Sequence, residues 1–391
     1  MNVRGFTVVE AIVSVAIVMA VTGAVFALLN PAQGMFLAQP EVSEMQQRLR
    51  VAVEALSRDL GMAGAGPFFG DAAGPLGRYV PAAAPFRRGA LLPDPPGTFA
   101  SDRLSLLYVP ASPAQAHLAV AMAHPGADIQ VAPRSGCPPS ETPCGFEVGM
   151  TAIVFDETGA HDTFRIAGVF PGLGVVQRDL RPLSKAYGRG ASLAEVVEVT
   201  YRLHTDAAAD VVRLMRYDGD QTDLPIADHV VGLRVEYFGD PRPPALFEPP
   251  APSAGPWTTY GPKPPAPDVE DPADLWGPGE NCMFVRVGDV AAPRPGLAPF
   301  GAATDPLVPL QPAWLVDGPW CPDAASAARF DADLLRVRRV RVTLRVEAGV
   351  EALRGSGPLF ARPGTSRSGD RYIPDIEVAL DVTPGNLGFG R

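Results

Sequence analysis

The first thirty residues constrain this chain more than any other stretch. From Phe6 to Leu29 runs a segment of 24 residues, FTVVEAIVSVAIVMAVTGAVFALL, whose only charge is Glu10. At ~1.5 Å per residue such a helix reaches about 36 Å, enough to cross a ~30 Å hydrocarbon layer. Ahead of it stand five residues with one positive side chain, Arg4, ending in Gly5. A secretory signal would have a shorter apolar region followed by a small-residue cleavage site. Here the apolar run continues, so the segment is expected to remain as an anchor. Arg4 on the short leader implies a cytoplasmic amino terminus under the positive-inside rule, with everything after residue 30 outside the cytoplasm.

A carboxylate inside a membrane span costs roughly 2.5–3.5 kcal/mol on insertion scales and normally marks function, with a partner to be named. The run Gly5-Phe6-Thr7-Val8-Val9-Glu10 before a long apolar helix resembles the processing and methylation motif of type IV prepilins and type II secretion pseudopilins. The resemblance is carried mainly by the first thirty residues. It implies that a membrane aspartyl prepilin peptidase cuts after Gly5 and N-methylates the new amino terminus of Phe6. It also implies a partner for Glu10, the charged amine of Phe6 on a neighbouring subunit. Pairing inside lipid offsets the burial cost only when geometry is good, so such a pair favours correct register. The plain alternative is an ordinary signal anchor with a chance glutamate.

At 391 residues and 47% apolar composition, the chain can bury one large core or two modest ones. A net charge of −10 argues against a nucleic-acid-binding stripe. With 44 prolines and 40 glycines, well above ordinary usage, the chain suits strands, turns and long irregular loops. Cys137, Cys144, Cys282 and Cys321 make an even count, which in an exported chain favours disulfides. Cys137 and Cys144 flank PPSETP and read as a local staple, leaving Cys282 to pair with Cys321. Zinc is the alternative, but no C-x-x-C pair or nearby His supports it.

Along the chain, Asn30, Pro31, Gly34 and Pro40 interrupt the helical pattern, and a bend or melted stretch is expected there. Beyond them Val42, Met45, Leu49, Val53, Leu56 and Leu60 recur on one helical face, with Glu41, Glu44, Arg48, Arg50, Arg58 and Asp59 mostly elsewhere. That amphipathic helix must lay its stripe on something, and the downstream domain is the natural seat. Alternation then predicts strands around Leu104–Tyr108, Val148–Phe155, Phe164–Val169, Val197–Leu203, Leu233–Tyr237, Val340–Val346 and Ile376–Val382. A hairpin is expected about Pro171-Gly172. Between Gly239 and Gly279 thirteen of 41 residues are proline, interleaved with Trp257, Tyr260 and Trp276; this stretch reads as extended or polyproline-like, a surface loop or a linker. The phrases VAVEALSRDLGMAGAG and VVGLRVEYF and the closing Asn386-Leu387 resemble PilW-type minor pilins and J-type pseudopilins.

The five histidines stand in no metal-ligand spacing, and no G-x-S-x-G, H-E-x-x-H or complete G-x-G-x-x-G occurs, so no enzyme is expected. Asp218, Asp220 and Asp223 in DGDQTD are the best calcium candidate, although an acidic turn explains them more simply and no metal or cofactor is assigned. Arg338, Arg339, Arg341 and Arg345 form a basic stripe, read as a solvated or salt-bridged sheet face.

The expected class is therefore α+β: a long amino-terminal helix, half transmembrane and half amphipathic, packed on an antiparallel β-rich head with Pro-rich insertions. The divisions are a leader at 1–5, the membrane and filament helix at 6–29, a kinked amphipathic helix at 30–66, the head at 67–238, a Pro-rich disulfide-containing insertion at 239–335 and closing strands at 336–391. The resemblance implies a minor pilin or pseudopilin that primes or caps a filament. Its partners would be other major and minor pilins, the prepilin peptidase, the inner-membrane assembly platform and the membrane itself. It would sit in the inner membrane with a periplasmic head, then in the pilus or pseudopilus. The alternative is a single-span extracytoplasmic binding protein or adhesin that never enters a filament.

Overall fold

One helix, α1, runs from Val8 to Met62 and organises the rest. The computed structural model of the chain describes residues 7–68, 74–244, 276–301, 306–322, 326, 328–367 and 371–387. The interruption expected at Asn30, Pro31, Gly34 and Pro40 does not occur, since α1 is helical across all four. Each proline removes one rung of the hydrogen-bond ladder, while the turns on either side remain intact, a situation membrane helices commonly tolerate. The helix also stops earlier than residue 66. Ala63 caps it, its amide donating to the Leu60 carbonyl, and Gly64 follows at φ +80°, the left-handed position that ends many helices.

The predicted stripe is where the helix meets the head. Met45, Ala52, Leu56 and Leu60 are fully buried, with Val42, Leu49 and Val53 partly buried beside them. They lie against two sheets. Sheet one is antiparallel, in the order β1 (Ala83–Ala84), β2 (Arg103–Tyr108), β9 (Val197–Asp206), β10 (Val211–Tyr217), β11 (Asp223–Asp228). Sheet three runs β15 (Val308–Pro309), β12 (Val230–Gly239), β18 (Val337–Val346), β19 (Ile376–Val382). The alternation read from sequence holds in sheet three. Leu233, Val235 and Tyr237 are buried, as are Val340, Val342, Leu344 and Val346. On the edge strand β19 the apolar residues are half-buried and alternate with exposed ones.

Sheet two stands apart with its own core. Its order is β3 (Gln115–His117), β8 (Ser192–Glu195), β5 (Thr151–Phe155), β6 (His161–Phe170), β7 (Val175–Arg178), β4 (Ile129–Gln130). Strands β6 and β7 form the hairpin expected about Pro171-Gly172. Phe164, Ile166, Val176 and Leu193 fill its core. A smaller cluster, including Leu107 of β2 and Phe155 of β5, joins this sheet to sheet one.

The 239–335 region is no appendage. Cys282, Met283, Phe284, Leu297, Leu310 and Leu315 belong to the main core, and β15 extends sheet three. Two hairpins complete it, β13 (Phe284–Val287) with β14 (Val290–Pro293), and β16 (Trp320–Cys321) with β17 (Phe330–Asp331). Most of the proline-rich run, with Trp257 and Tyr260, lies outside the described residues. Trp276 is described, and the Arg294 guanidinium stacks 4.0 Å from its ring centre.

Candidate functional site: the anchor helix and its seat on the head

Gly5 and Phe6 lie outside the described residues; the description begins at Thr7, the cap of α1. The Thr7 hydroxyl accepts from the Glu10 amide at 3.3 Å, and the Thr7 amide donates back to Glu10 Oε2 at 3.0 Å. This is a reciprocal capping box. Its signature, Thr-x-x-Glu, stands in the sequence at residues 7–10. The Thr7 hydroxyl also donates to Oε2, so both bonds to the carboxylate use one oxygen. Among the described residues Oε1 is left open to another donor.

From Val8 to Phe26 none of the described residues covers the helix. Val8 is 77% exposed and Phe26 67%. A helix apolar all round is stable only in an apolar phase, a bilayer or a bundle of like helices. It is long and apolar enough to cross a membrane.

Past residue 38 the same helix is clamped by two carboxylates, Glu41 and Asp59, that border its buried apolar stripe. Asp59, 3% exposed, accepts from the Tyr108 hydroxyl at 2.8 Å, the Tyr201 hydroxyl at 2.7 Å and Arg216 Nε at 2.8 Å. Tyr201 and Arg216 are direct cross-strand partners on β9 and β10. Burial and the neighbouring Asp59 charge push both tyrosine hydroxyls well above their usual pKa, so they stay protonated donors. Glu41, also buried, accepts from the Gly349 amide at 2.6 Å and from Arg48 at 3.0 Å. About 27 Å of helix separates the two clamps. Sequence patterning missed both because a charge predicts exposure unless its partners are known.

The remaining residues singled out in the sequence separate into distinct environments. Both disulfides form as expected, Cys137–Cys144 and Cys282–Cys321, with Cα separations of 5.8 and 5.2 Å. The DGDQTD carboxylates diverge: Asp218 caps the turn through the Asp220 and Thr222 amides, Asp220 pairs with Arg165 and Arg181, and Asp223 pairs with Arg202. In the basic stripe Arg339 and Arg341 face Asp381, and Arg345 faces Asp375. Arg338 instead donates to the Leu335 and Val337 carbonyls.

Fold and site together define a class: an α+β protein whose antiparallel β-rich head is carried on one apolar helix able to anchor it in a membrane. Its paired cysteines suit an oxidising compartment. No family model, no curated protein and no solved structure matches the chain.

Proposed function

We propose that this chain is a minor pilin or pseudopilin of the PilW/J-type class, a structural subunit that primes or caps a type IV pilus or type II secretion pseudopilus. The observation carrying this reading is the uncovered Val8–Phe26 helix with a capping carboxylate at its first turn, continuous with a helix clamped to the head. In a bundle of like helices the apolar surface leaves lipid without meeting water, so extraction from the bilayer is far cheaper than exposure. The open oxygen of Glu10 then meets the methylated amine of Phe6 on the next subunit. The rigid clamp transmits that register to the head. A head this large suits a tip or initiation position, because it would crowd a repeating shaft.

The partners on this reading are other pilins, the prepilin peptidase and the inner-membrane assembly platform, and the head is periplasmic before assembly. Immunogold labelling of filaments tests the position. Gold confined to ends is expected, and uniform decoration would contradict a tip role.

A further inference from the structure

Along β2 and the first half of β9, sheet one is buried on both faces. On the face away from α1, Ser105, Glu198 and Thr200 are buried. Beside Glu198 a cleft of about 250 Å³ opens between sheet one, β6 and the 86–96 loop. Five arginines line it: Arg87, Arg88, Arg165, Arg181 and Arg329.

Four carboxylates share the wall, and each already accepts from protein donors. Asp220 takes Arg165 and Arg181. Asp94 takes Arg103 from outside the cleft. Asp162 accepts from Ser184 and Tyr187, and Glu198 accepts from Thr163 at 3.1 Å. No described carboxylate is hydrogen-bonded to the side chain of Arg87, Arg88 or Arg329, although the buried Glu198 carboxylate lies close enough to Arg88 for the two charges to favour each other. Arg87 lies over the Tyr217 ring and Arg329 over the Trp320 ring. The Nε of each is buried without a hydrogen-bond partner, a state that costs ~1–3 kcal/mol per donor.

Arg88 is the deepest of the three, 8% exposed. Its Nη1 donates to the Pro81 carbonyl at 2.8 Å, and its Nη2 lies 3.4 Å from His161 Nε2. His161 Nδ1 faces the Gly159 carbonyl at 3.1 Å, which fits the tautomer whose Nε2 lone pair accepts from Arg88. Burial, then the Arg88 charge, hold the His161 pKa down to about 3. The imidazole is therefore neutral and positions Arg88 without adding charge.

The cleft is preformed. Gly89 sits at φ +101°, and a Cβ there would meet the Gly219 carbonyl oxygen at 2.4 Å. The Ala90 amide donates to that same oxygen at 2.8 Å, tying the loop to the β10–β11 turn. Preorganised donors lose little freedom on binding. With ~30 Å³ per water, the space holds roughly eight waters, below the ~300 Å³ of drug-sized pockets.

We propose that this cleft binds a small molecule through an oxyanion, a carboxylate or a phosphate, grasped by Arg87, Arg88 and Arg329. The guanidinium fork matches both groups in geometry. In a chain of net charge −10, a local excess of cations focuses anions to this one place. The site belongs to the head alone, so it stands or falls apart from filament assembly.

Calorimetric titration of the full oxidised chain in non-ionic detergent, at fixed ionic strength, tests it with inorganic phosphate, glucuronate and neutral glucose as probes. Saturable one-to-one binding of phosphate or glucuronate but not glucose is expected, and which anion binds identifies the group recognised. Arg87→Gln and Arg329→Gln should each weaken binding at least tenfold while the chain keeps a cooperative unfolding transition. The proposal is overturned if neither anion saturates, if glucose binds as well, or if a folded double variant binds like the parent. Should the double variant not fold, hydrogen exchange on the parent decides. Anion-dependent slowing at residues 86–90 and 161–165 upholds the cleft, and slowing only elsewhere overturns it.

Discussion

Tyr201 donates its hydroxyl to Asp59 at 2.7 Å across a sequence separation of 142 residues, and this bond fastens the long helix to the centre of sheet one. Arg216 on the neighbouring strand donates to the same oxygen and Tyr108 on β2 to the other, so one carboxylate satisfies three strands. Removing one member of a buried charged pair typically costs ~3–5 kcal/mol. Asp59→Ala should therefore destabilise the head by about that amount, whereas Tyr201→Phe, which leaves Tyr108 and Arg216 in place, should cost about 1–2 kcal/mol. Urea unfolding followed by tryptophan fluorescence measures both; equal effects would mean Asp59 is not the hub.

The acid limb of stability should belong to Glu347. Its carboxylate is fully buried, and burial alone would raise its pKa. Hydrogen bonds from His229 and Arg362, with the charges of Arg354 and Arg362, outweigh that and bring it down to about 2. A carboxyl whose folded pKa lies below its unfolded value contributes fully above about pH 4.5 and loses that contribution as pH falls through 2. Roughly 2–3 kcal/mol should disappear across this window. Glu347→Gln should be less stable at pH 7 and should flatten the slope between pH 4.5 and 2, as read from unfolding midpoints; an unchanged slope would place the acid limb elsewhere.

The two disulfides should differ in weight. Loop-closure entropy gives about 4 kcal/mol for a bridge closing a loop the size of Cys282–Cys321 and about 2.5 kcal/mol for one the size of Cys137–Cys144. The former also lies in the main core. A Cys282→Ser/Cys321→Ser variant should unfold at clearly lower urea than a Cys137→Ser/Cys144→Ser variant, and the reverse order would show that loop length does not govern here.

Much of the architecture is legible in the sequence because burial there is one-sided. The Val42–Leu60 stripe and the alternation of β12 and β18 follow from helices and strands with one covered face. The pattern misleads wherever both faces are covered. Glu198 and Thr200 alternate with the apolar Val197, Val199 and Tyr201 along β9, yet both are buried because sheet two and the 86–96 loop lie over them. Asp59 is illegible for a different reason: a charge predicts exposure until its buried partners are known. The cleft was out of reach, since Arg88, His161 and Arg329 are brought together only by the tertiary fold. The prolines of α1 misled in the opposite direction: local propensity disfavours them, and the long helix carries them nonetheless.

Glu10 should matter to assembly and not to insertion. Its capping bonds to Thr7 use Oε2 alone, which leaves an oxygen for an incoming amine. Glu10→Ala should still fractionate with membranes but drop out of sheared filaments by tenfold or more on immunoblot. Wild-type recovery in the filament fraction would remove the pairing argument.

The most direct measurement is the intact mass and amino-terminal fragment spectrum of the chain purified from its native membrane. Loss of residues 1–5 and an N-methylated Phe6 is the result expected of a processed filament subunit. A chain that still begins at Met1, or begins at an unmethylated Phe6, would contradict it.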